Sequence, residues 1–204
     1  ASAPQVHYLS NGRYGLLITE AGAGYSAYSP SPSEGGETMA LTRWRADTTR
    51  DSWGTWIYVR ETVDGDWSSV GPLSACEQPT GQAADEERVR FYPHKAEFRR
   101  RYGDISIHTE ITVAPEEDVE VRRVTLTNHG VRAKRLRVSS YGEVVLASQG
   151  QDRRHPTFNK MFIESDYVED VNGLLFTRRP RSSAEEPVHV AHVLVTPPDR
   201  DATR

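Results

Sequence analysis

Cysteine is nearly absent from this 204-residue sequence, which contains only Cys76. A single cysteine cannot form an internal disulfide, so a reducing compartment is permitted. No run of about 18 apolar residues occurs, which argues against a membrane-spanning helix. The first ten residues, ASAPQVHYLS, lack the basic and apolar regions of a signal peptide. We therefore expect a soluble fragment excised from a much larger multidomain protein.

A concentrated positive charge is also missing. The 25 Lys and Arg residues are interleaved with 29 Asp and Glu residues, and the formal net charge is -4. A dedicated nucleic-acid binder needs a clustered positive field, so nucleic acid is not an expected partner. The mean hydropathy of -0.65 is polar but compatible with folding. The length fits one large domain, and we expect residues 1–204 to form a single β-sandwich domain.

Helical periodicity is absent as well, because no segment repeats apolar residues at i, i+3, i+4 and i+7 over three turns. Period-two alternation is common instead, and it is clearest where one side of a strand presents Ile105, Ile107, Ile111 and Val113. Roughly a dozen strands joined mostly by hairpins predict an all-β fold. We expect two stacked antiparallel sheets and less than about 10% helix.

Several local features refine this strand pattern. Asp64-Gly65 is the strongest hairpin-turn signal in the sequence. The apolar phase slips between Val121 and Val124, as a β-bulge would produce. The segment Ser148 to Pro156 is predicted to be a polar loop. The run Arg99 to Arg101 is interpreted as a solvated strand face, with aliphatic stems lying along the sheet.

Sequence motifs for catalysis or cofactor binding are weak. Gly22 to Ala27 matches G-x-G-x-x-A, but Pro30 and Pro32 follow, and the helix that a dinucleotide requires cannot form. His189 and His192 are three residues apart on a predicted strand, so they face opposite sides and cannot share a metal ion. No G-x-S-x-G nucleophile elbow occurs. We therefore expect no catalytic residue, no metal and no cofactor in this chain.

Aromatic and arginine residues are concentrated between Gly12 and Trp56. Aromatic rings cover the apolar faces of sugars, and guanidinium groups offer forked donors to hydroxyls or phosphate. The alternative is an ordinary β-sheet core with arginines at its rim. If this stretch is a sugar-binding surface, the residues expected to contact the sugar are Tyr25, Tyr28, Arg43, Trp44 and Arg45. On a strand the two arginines share one face, and we expect them to point outward because burying unpaired guanidinium groups is costly.

A second candidate is the segment His155 to Lys160, predicted to be a loop that enters a strand. Its residues His155, Phe158, Asn159 and Lys160 could converge on a ligand. An ordinary polar loop is the alternative interpretation.

A series of motifs carries a family resemblance. In order they are LSNGRYG, AGAGYSAY, LTRWRADTTRDSWGTWIYVRE, EVRRVTLTNHG, SSYGEVVLA, HPTFNKMF and LLFTRRPRS. Together they resemble the N-terminal β-domain of family 94 glycoside phosphorylases, formerly glycosyltransferase family 36, with the nearest likeness to cyclic β-1,2-glucan synthases. The resemblance runs from Val6 to Val195. It implies a β-supersandwich similar to galactose mutarotase domains and described as carbohydrate-binding.

In that family the β-domain precedes an (α/α)6 barrel that carries the catalytic Asp, which has no counterpart here. The resemblance therefore implies a non-catalytic module that positions a β-glucan or glucooligosaccharide for a glycosyltransferase or phosphorylase. Two alternatives are a structural domain that docks the barrel or a partner, and a mutarotase-type enzyme with a Glu/His pair.

Further expectations come from the same resemblance. The catalytic barrel of the parent chain is an expected partner, and a homodimer is another. The parent is expected at the cytoplasmic side of the bacterial inner membrane, as part of a membrane-anchored protein. Family β-domains are usually longer than this chain, so terminal strands or a linker are expected to be missing.

Overall fold

A computed structural model describes residues 5–30, 37–45, 53–63, 66–67, 71–77, 82–182 and 185–196. The chain divides into two compact units, Ala1–Glu143 and Val144–Arg204. Over the described residues, strands account for 55% and helices for 8%, and the sheets are antiparallel. The expected all-β class and the low helix content are confirmed. The expectation of a single domain stays a prediction.

The first unit contains strands in three sheets. Their bounds are β1 (Val6–Ser10), β2 (Tyr14–Thr19), β3 (Gly24–Tyr28), β4 (Met39–Thr42), β5 (Trp56–Val63), β6 (Asp66–Trp67), β7 (Leu73–Ser74), β8 (Glu86–Tyr92), β9 (Lys95–Tyr102), β10 (Ile105–Val113), β11 (Glu120–Asn128) and β12 (Arg135–Tyr141).

The first sheet has the order β1-β2-β3-β4, and its pairs are antiparallel. The turn between β1 and β2 forms at Asn11-Gly12. Gly12 has φ +98°, a left-handed conformation that suits glycine. The Asn11 side-chain oxygen accepts hydrogen bonds from the backbone N–H groups of Arg13 and Tyr14. This turn fixes the register that aligns Tyr8 with Leu17.

The second sheet has the order β11-β10-β9-β8. The alternation predicted for β10 is confirmed, since Ile105, Ile107 and Ile111 are buried. The predicted bulge in β11 is wrong, because its pairing with β10 is continuous from Glu120 to Asn128. Glu120 and Arg122 occupy the first two inward-facing positions of β11. Because these positions are charged rather than apolar, the apolar pattern of the sequence resembles a shift in phase.

A third sheet has the order β12-β5-β6, and β7 also pairs with β5. Asp64-Gly65 lies outside the described residues. The pairs Thr62 with Trp67 and Val63 with Asp66 flank it on either side.

Two apolar clusters hold the sheets of the first unit together. One joins Leu16 and Ile18 of β2 to Phe98 of β9 and Ile111 of β10, and it also contains Trp56 of β5. The other joins residues of β5 to residues of β9 and β10. The sheet β8–β11 is therefore one layer of a sandwich. The first sheet (β1–β4) and the third sheet (β12-β5-β6) pack against the same side of it.

The second unit contains β13 (Val144–Ala147), α1 (Gln149–Arg154), α2 (Pro156–Lys160), β14 (Ile163–Val168), a 3-10 helix (Glu169–Val171), β15 (Gly173–Arg178) and β16 (Val188–Val193). The last three strands form an antiparallel sheet in the order β14-β15-β16.

The predicted loops Ser148 to Pro156 and His155 to Lys160 are wrong, because both segments contain a short helix. The Ser148 side chain accepts a hydrogen bond from the Gln151 N–H and caps α1. Pro156 begins α2, a position where its missing N–H carries no cost. No helix among the described residues is long and apolar enough to cross a membrane.

Candidate functional site

Aromatic side chains line the outer face of the sheet β1–β4. Tyr8, Leu17 and Tyr25 are directly opposite one another on β1, β2 and β3, so their side chains are adjacent on one face. The rings of Tyr25 and Trp44 stack with centroids 5.7 Å apart and planes 18° from parallel. We call Tyr8, Leu17, Tyr25 and Trp44 the aromatic row. Such a row can cover the apolar faces of successive sugar rings.

Tyr8 is the most accessible member of the aromatic row, with 63% of its surface exposed. Its ring lies over Gly15 on β2, where a Cβ atom would overlap the phenol group. Glycine at this position therefore leaves room for the Tyr8 ring to lie against the sheet. The aromatic row thus depends on a residue without a side chain.

Trp44 is half-buried and packs against the first apolar cluster. Its indole N–H is buried and has no hydrogen-bond partner among the described residues. Such a donor is costly to leave unsatisfied. Arg45 is also half-buried, and its guanidinium carbon lies 5.6 Å from the centroid of the Trp53 ring. A cation over an aromatic face is an attractive arrangement.

Arg43 does not point outward, so this expectation is wrong. Its side chain is only 4% exposed and forms an ion pair with Glu143. The Arg43 backbone N–H also donates to the Glu143 carbonyl, at 2.9 Å. The penalty expected for burying a guanidinium group is avoided because a carboxylate from a distant part of the sequence neutralises it. Arg43 therefore anchors the backbone beside Trp44.

Tyr28 does not belong to the aromatic row. It is three residues beyond Tyr25 on β3, so the two side chains are on opposite faces of the strand. Tyr28 is directly opposite Tyr14 of β2. Of the five residues predicted in this region, Tyr25 and Trp44 come together. Arg43 and Arg45 flank Trp44 along the chain, and Tyr28 faces away.

The remaining predicted residues are in the second unit, around α2. His155, Phe158 and Lys160 are exposed. Phe158 contacts Phe162 edge to face, with ring centroids 5.1 Å apart. Asn159 is 3% exposed, and its amide nitrogen is buried without a hydrogen-bond partner among the described residues. Asn159 therefore points inward, and it does not share the exposed surface of the other three.

A buried polar network lies between β2, β3 and β11. The Glu120 carboxylate accepts hydrogen bonds from Tyr14 at 3.2 Å, and from Ser26 and Arg122. Burial alone would raise the pKa of Glu120, but attraction to Arg122 and the hydrogen bonds from Ser26, Arg122 and Tyr14 together lower it. Burial and the Glu120 charge raise the pKa of Tyr14. The side chains of Tyr14, Ser26 and Arg122 all donate hydrogen bonds to Glu120, so the network has a structural role.

A Glu/His pair of the kind that a mutarotase-type enzyme would use occurs in the sheet β8–β11. His108 Nε2 lies 2.7 Å from Glu97 Oε1. Arg99 donates two hydrogen bonds to the same oxygen, at 2.9 and 2.6 Å. Although desolvation opposes it, the pKa of Glu97 is lowered by the bonds from Arg99 and His108. A carboxylate held in this way is a weak general base.

The sequence reasoning missed Tyr8, Trp53 and Glu143 as members of the candidate site. Tyr8 could have been found from the alternation of VHYLS, which places Tyr8 opposite to the buried Leu9. Trp53 lay within the aromatic stretch but was not selected. Nothing in the local sequence distinguishes Glu143, since its role depends on contact with Arg43, 100 positions away.

The family model described as "Glycosyl hydrolase 94, supersandwich domain" matches residues 1–204. Cyclic beta-(1,2)-glucan synthase NdvB of Rhizobium meliloti (strain 1021) is 37% identical over 186 residues, covering 91% of this chain and 6% of that protein. N,N'-diacetylchitobiose phosphorylase of Vibrio furnissii is 27% identical over 175 residues, covering 85% and 20%. The phosphorylase of the same name from Vibrio proteolyticus is 27% identical over 143 residues, covering 69% and 17%. The chain thus spans a small fraction of the length of each relative.

Proposed function

Because this chain belongs to the glycosyl hydrolase 94 supersandwich domain family, we propose that it is a non-catalytic module that binds carbohydrate and positions it for a larger enzyme. The relative with 37% identity is named as a cyclic β-1,2-glucan synthase, so the proposed ligand is a β-glucan or glucooligosaccharide. The parent is proposed to be a glycosyltransferase or a glycoside phosphorylase. Its catalytic (α/α)6 domain is the proposed intramolecular partner.

The observation that supports sugar binding best is the aromatic row. Tyr8 of β1 and Tyr25 of β3 lie on either side of Leu17 of β2, and Trp44 extends the row by stacking on Tyr25. Arg45 is adjacent to Trp44 in the chain and can supply donors to hydroxyl groups. An open row with few polar partners favours weak binding, so we expect a dissociation constant in the millimolar range, about 4 kcal/mol.

The proposal that the chain is non-catalytic rests on the state of its carboxylates. Glu97 and Glu120 are the best-positioned candidates, yet each already accepts hydrogen bonds from several charged or polar side chains. A general acid or base needs a pKa near the working pH, whereas both of these carboxylates have a lowered pKa.

A docking domain is the second candidate function, and one observation favours it. In the second unit the exposed side chains of Tyr167 and Leu174 are directly opposite each other on β14 and β15. Contiguous exposed apolar groups commonly mark contact surfaces.

A mutarotase-type activity is less favoured because Glu97 is already engaged by Arg99 and His108. The cytoplasmic location of a membrane-anchored parent and a homodimer remain proposals.

The test is a titration with β-1,2-glucooligosaccharides followed by NMR chemical shifts, on the 204-residue chain and two variants. Tyr8→Ala removes an exposed ring from the aromatic row. Tyr167→Ala is the matched control, since Tyr167 is 62% exposed and lies in the second unit. We expect Tyr8→Ala to weaken binding at least about threefold, because one stacking contact is lost. Tyr167→Ala should leave the affinity unchanged.

Equal effects of the two substitutions, or shifts that map away from the aromatic row, would contradict the site. The absence of chemical-shift changes even at high ligand concentration would favour the docking domain.

A further inference from the structure

The solvent-facing side of the sheet β8–β11 is a regular grid of polar side chains. Continuous pairing aligns the outward residues of the four strands into rows. Each row is given in order from β8 to β11. The first row is Glu86, Arg101, Ser106 and Thr127, and the second is Arg88, Arg99, His108 and Thr125. The third row is Arg90, Glu97, Glu110 and Arg123, and the fourth is Tyr92, Lys95, Thr112 and Val121. We call this surface the polar face.

Positive charge is in excess on the polar face. It carries six Lys or Arg side chains and three Glu side chains, although the whole chain has a net charge of -4. Most of its charges are paired with opposite ones. Glu110 is bound by Lys95 at 2.6 Å and by Arg123, and Arg101 lies 3.4 Å from Glu86.

One neighbouring pair departs from this pattern, because Arg88 of β8 is directly opposite Arg99 of β9. Like charges that face each other across two strands destabilise a sheet. Arg88 is exposed and forms no ion pair among the described residues. Two positions further along β8, on the same face, Arg90 also forms no ion pair in the described part of the chain. It is directly opposite Glu97 of β9, however, so opposite charges face each other there.

The second arginine of the pair is held in place by its neighbours. The Nε and Nη2 atoms of Arg99 donate to Glu97 Oε1, which leaves Nη1 outside this contact. His108 Nε2 lies 2.7 Å from the same carboxylate oxygen. The guanidinium group of Arg99 is therefore held in one orientation, and its Nη1 atom is outside the contact with Glu97.

We propose that Arg88 and Arg99 form a binding site for a phosphoryl oxyanion. A tetrahedral dianion placed between the two guanidinium groups accepts hydrogen bonds from both and removes the repulsion between them. A phosphoryl group fits this role better than a carboxylate because its oxygens can bridge two separate forks. The group can belong to inorganic phosphate or to a phosphorylated sugar. The site is on a different sheet from the aromatic row, so its test is independent of the proposed sugar-binding function.

Two substitutions on the same strand and face provide the test. Arg88→Thr and Arg90→Thr remove the same charge and introduce the same β-branched residue, but only Arg88 faces Arg99. Inorganic phosphate, glucose 6-phosphate and succinate are titrated at low ionic strength and followed by NMR shifts. We expect saturable binding of phosphate or the sugar phosphate to the wild type. Arg88→Thr should weaken it about tenfold, because charged hydrogen bonds are lost, and Arg90→Thr less than about twofold.

Comparison of the ligands identifies the source of the phosphoryl group. Tighter binding of glucose 6-phosphate than of phosphate assigns the site to a phosphorylated sugar, and the reverse order assigns it to the free ion. Succinate binding as tightly as either phosphate ligand would overturn the proposal. So would equal losses in the two variants, because these would indicate only general attraction to a positive surface.

Thermal unfolding gives a second readout. Without ligand, Arg88→Thr should melt at or above the wild-type temperature because a like-charge contact is gone, whereas Arg90→Thr should melt lower. Phosphate should raise the melting temperature of the wild type and of Arg90→Thr by linkage, and that of Arg88→Thr much less. A melting temperature that phosphate raises equally in all three proteins would refute the site.

Discussion

The buried pair Glu120 and Arg122 gives a prediction whose magnitude follows from the structure. Their side chains are only 10% and 14% exposed. Arg122 also donates to the Thr55 carbonyl at 2.7 Å. Glu120→Gln keeps the shape but removes the charge from the acceptor of three hydrogen bonds. A hydrogen bond to a charged group contributes about 1 kcal/mol more than a neutral one, so the expected loss of unfolding free energy is about 2–3 kcal/mol.

The measurement is urea unfolding followed by tryptophan fluorescence. All four tryptophans lie in the first unit, so the signal reports on the unit that contains the pair. The double variant Glu120→Gln with Arg122→Met should lose less than the sum of the two single variants, because the second substitution removes a cation that the first leaves unpaired.

The same pair predicts a dependence on pH. The pKa of Glu120 is lowered in the folded state, so its stabilisation is present above the unfolded value of about 4.3. It is lost as the pH falls through the lower folded value. The difference in stability between wild type and Glu120→Gln should therefore shrink below about pH 4. A loss under about 0.5 kcal/mol at pH 7, or strict additivity in the double variant, would refute the reasoning.

Three further predictions concern other parts of the first unit. Arg43→Ala should cost about 2–4 kcal/mol in urea unfolding, because it breaks the ion pair between Glu143 and a guanidinium group whose side chain is only 4% exposed; a neutral effect would show that the pair is not important for stability. Gly15→Val should displace the Tyr8 ring and weaken glucooligosaccharide binding without changing the circular dichroism spectrum, and unchanged affinity would contradict the dependence of the aromatic row on glycine. Burial raises the pKa of the Cys76 thiol to about 12, so a thiol reagent at pH 8 should label it only after denaturation; rapid labelling of the native chain would disprove this.

The strand pattern of β10 shows what the sequence determined by itself. Alternating isoleucines predicted which face is buried, because residues two apart on a strand must share a side. The turn at Gly12 was predictable for a similarly local reason, since its backbone conformation suits glycine. The family resemblance added the supersandwich fold, and the family match over residues 1–204 agrees with it.

The short helices α1 and α2 were beyond this kind of inference. They have six and five residues, too few to establish a repeat over three turns. Their formation depends on end effects at Ser148 and Pro156, which a search for periodic patterns does not detect.

The charged residues that are buried needed the tertiary structure. Glu120 and Arg122 looked like a break in the strand pattern of β11, yet they are ordinary inward positions because Tyr14 and Ser26 come from another sheet to meet them. Arg100 was expected to be solvated, but it is buried and its guanidinium group donates to Glu87 at 2.7 Å.

Arg43 was misjudged for the same reason. Alternation specifies which side of a strand a residue faces, but it does not specify what lies on that side. Whether a buried charge is costly depends on its partner, and Glu143 reaches Arg43 only through the fold. The sequence therefore determined the local periodicity of the strands, whereas the tertiary structure decided which polar residues could be buried and which aromatic rings came together.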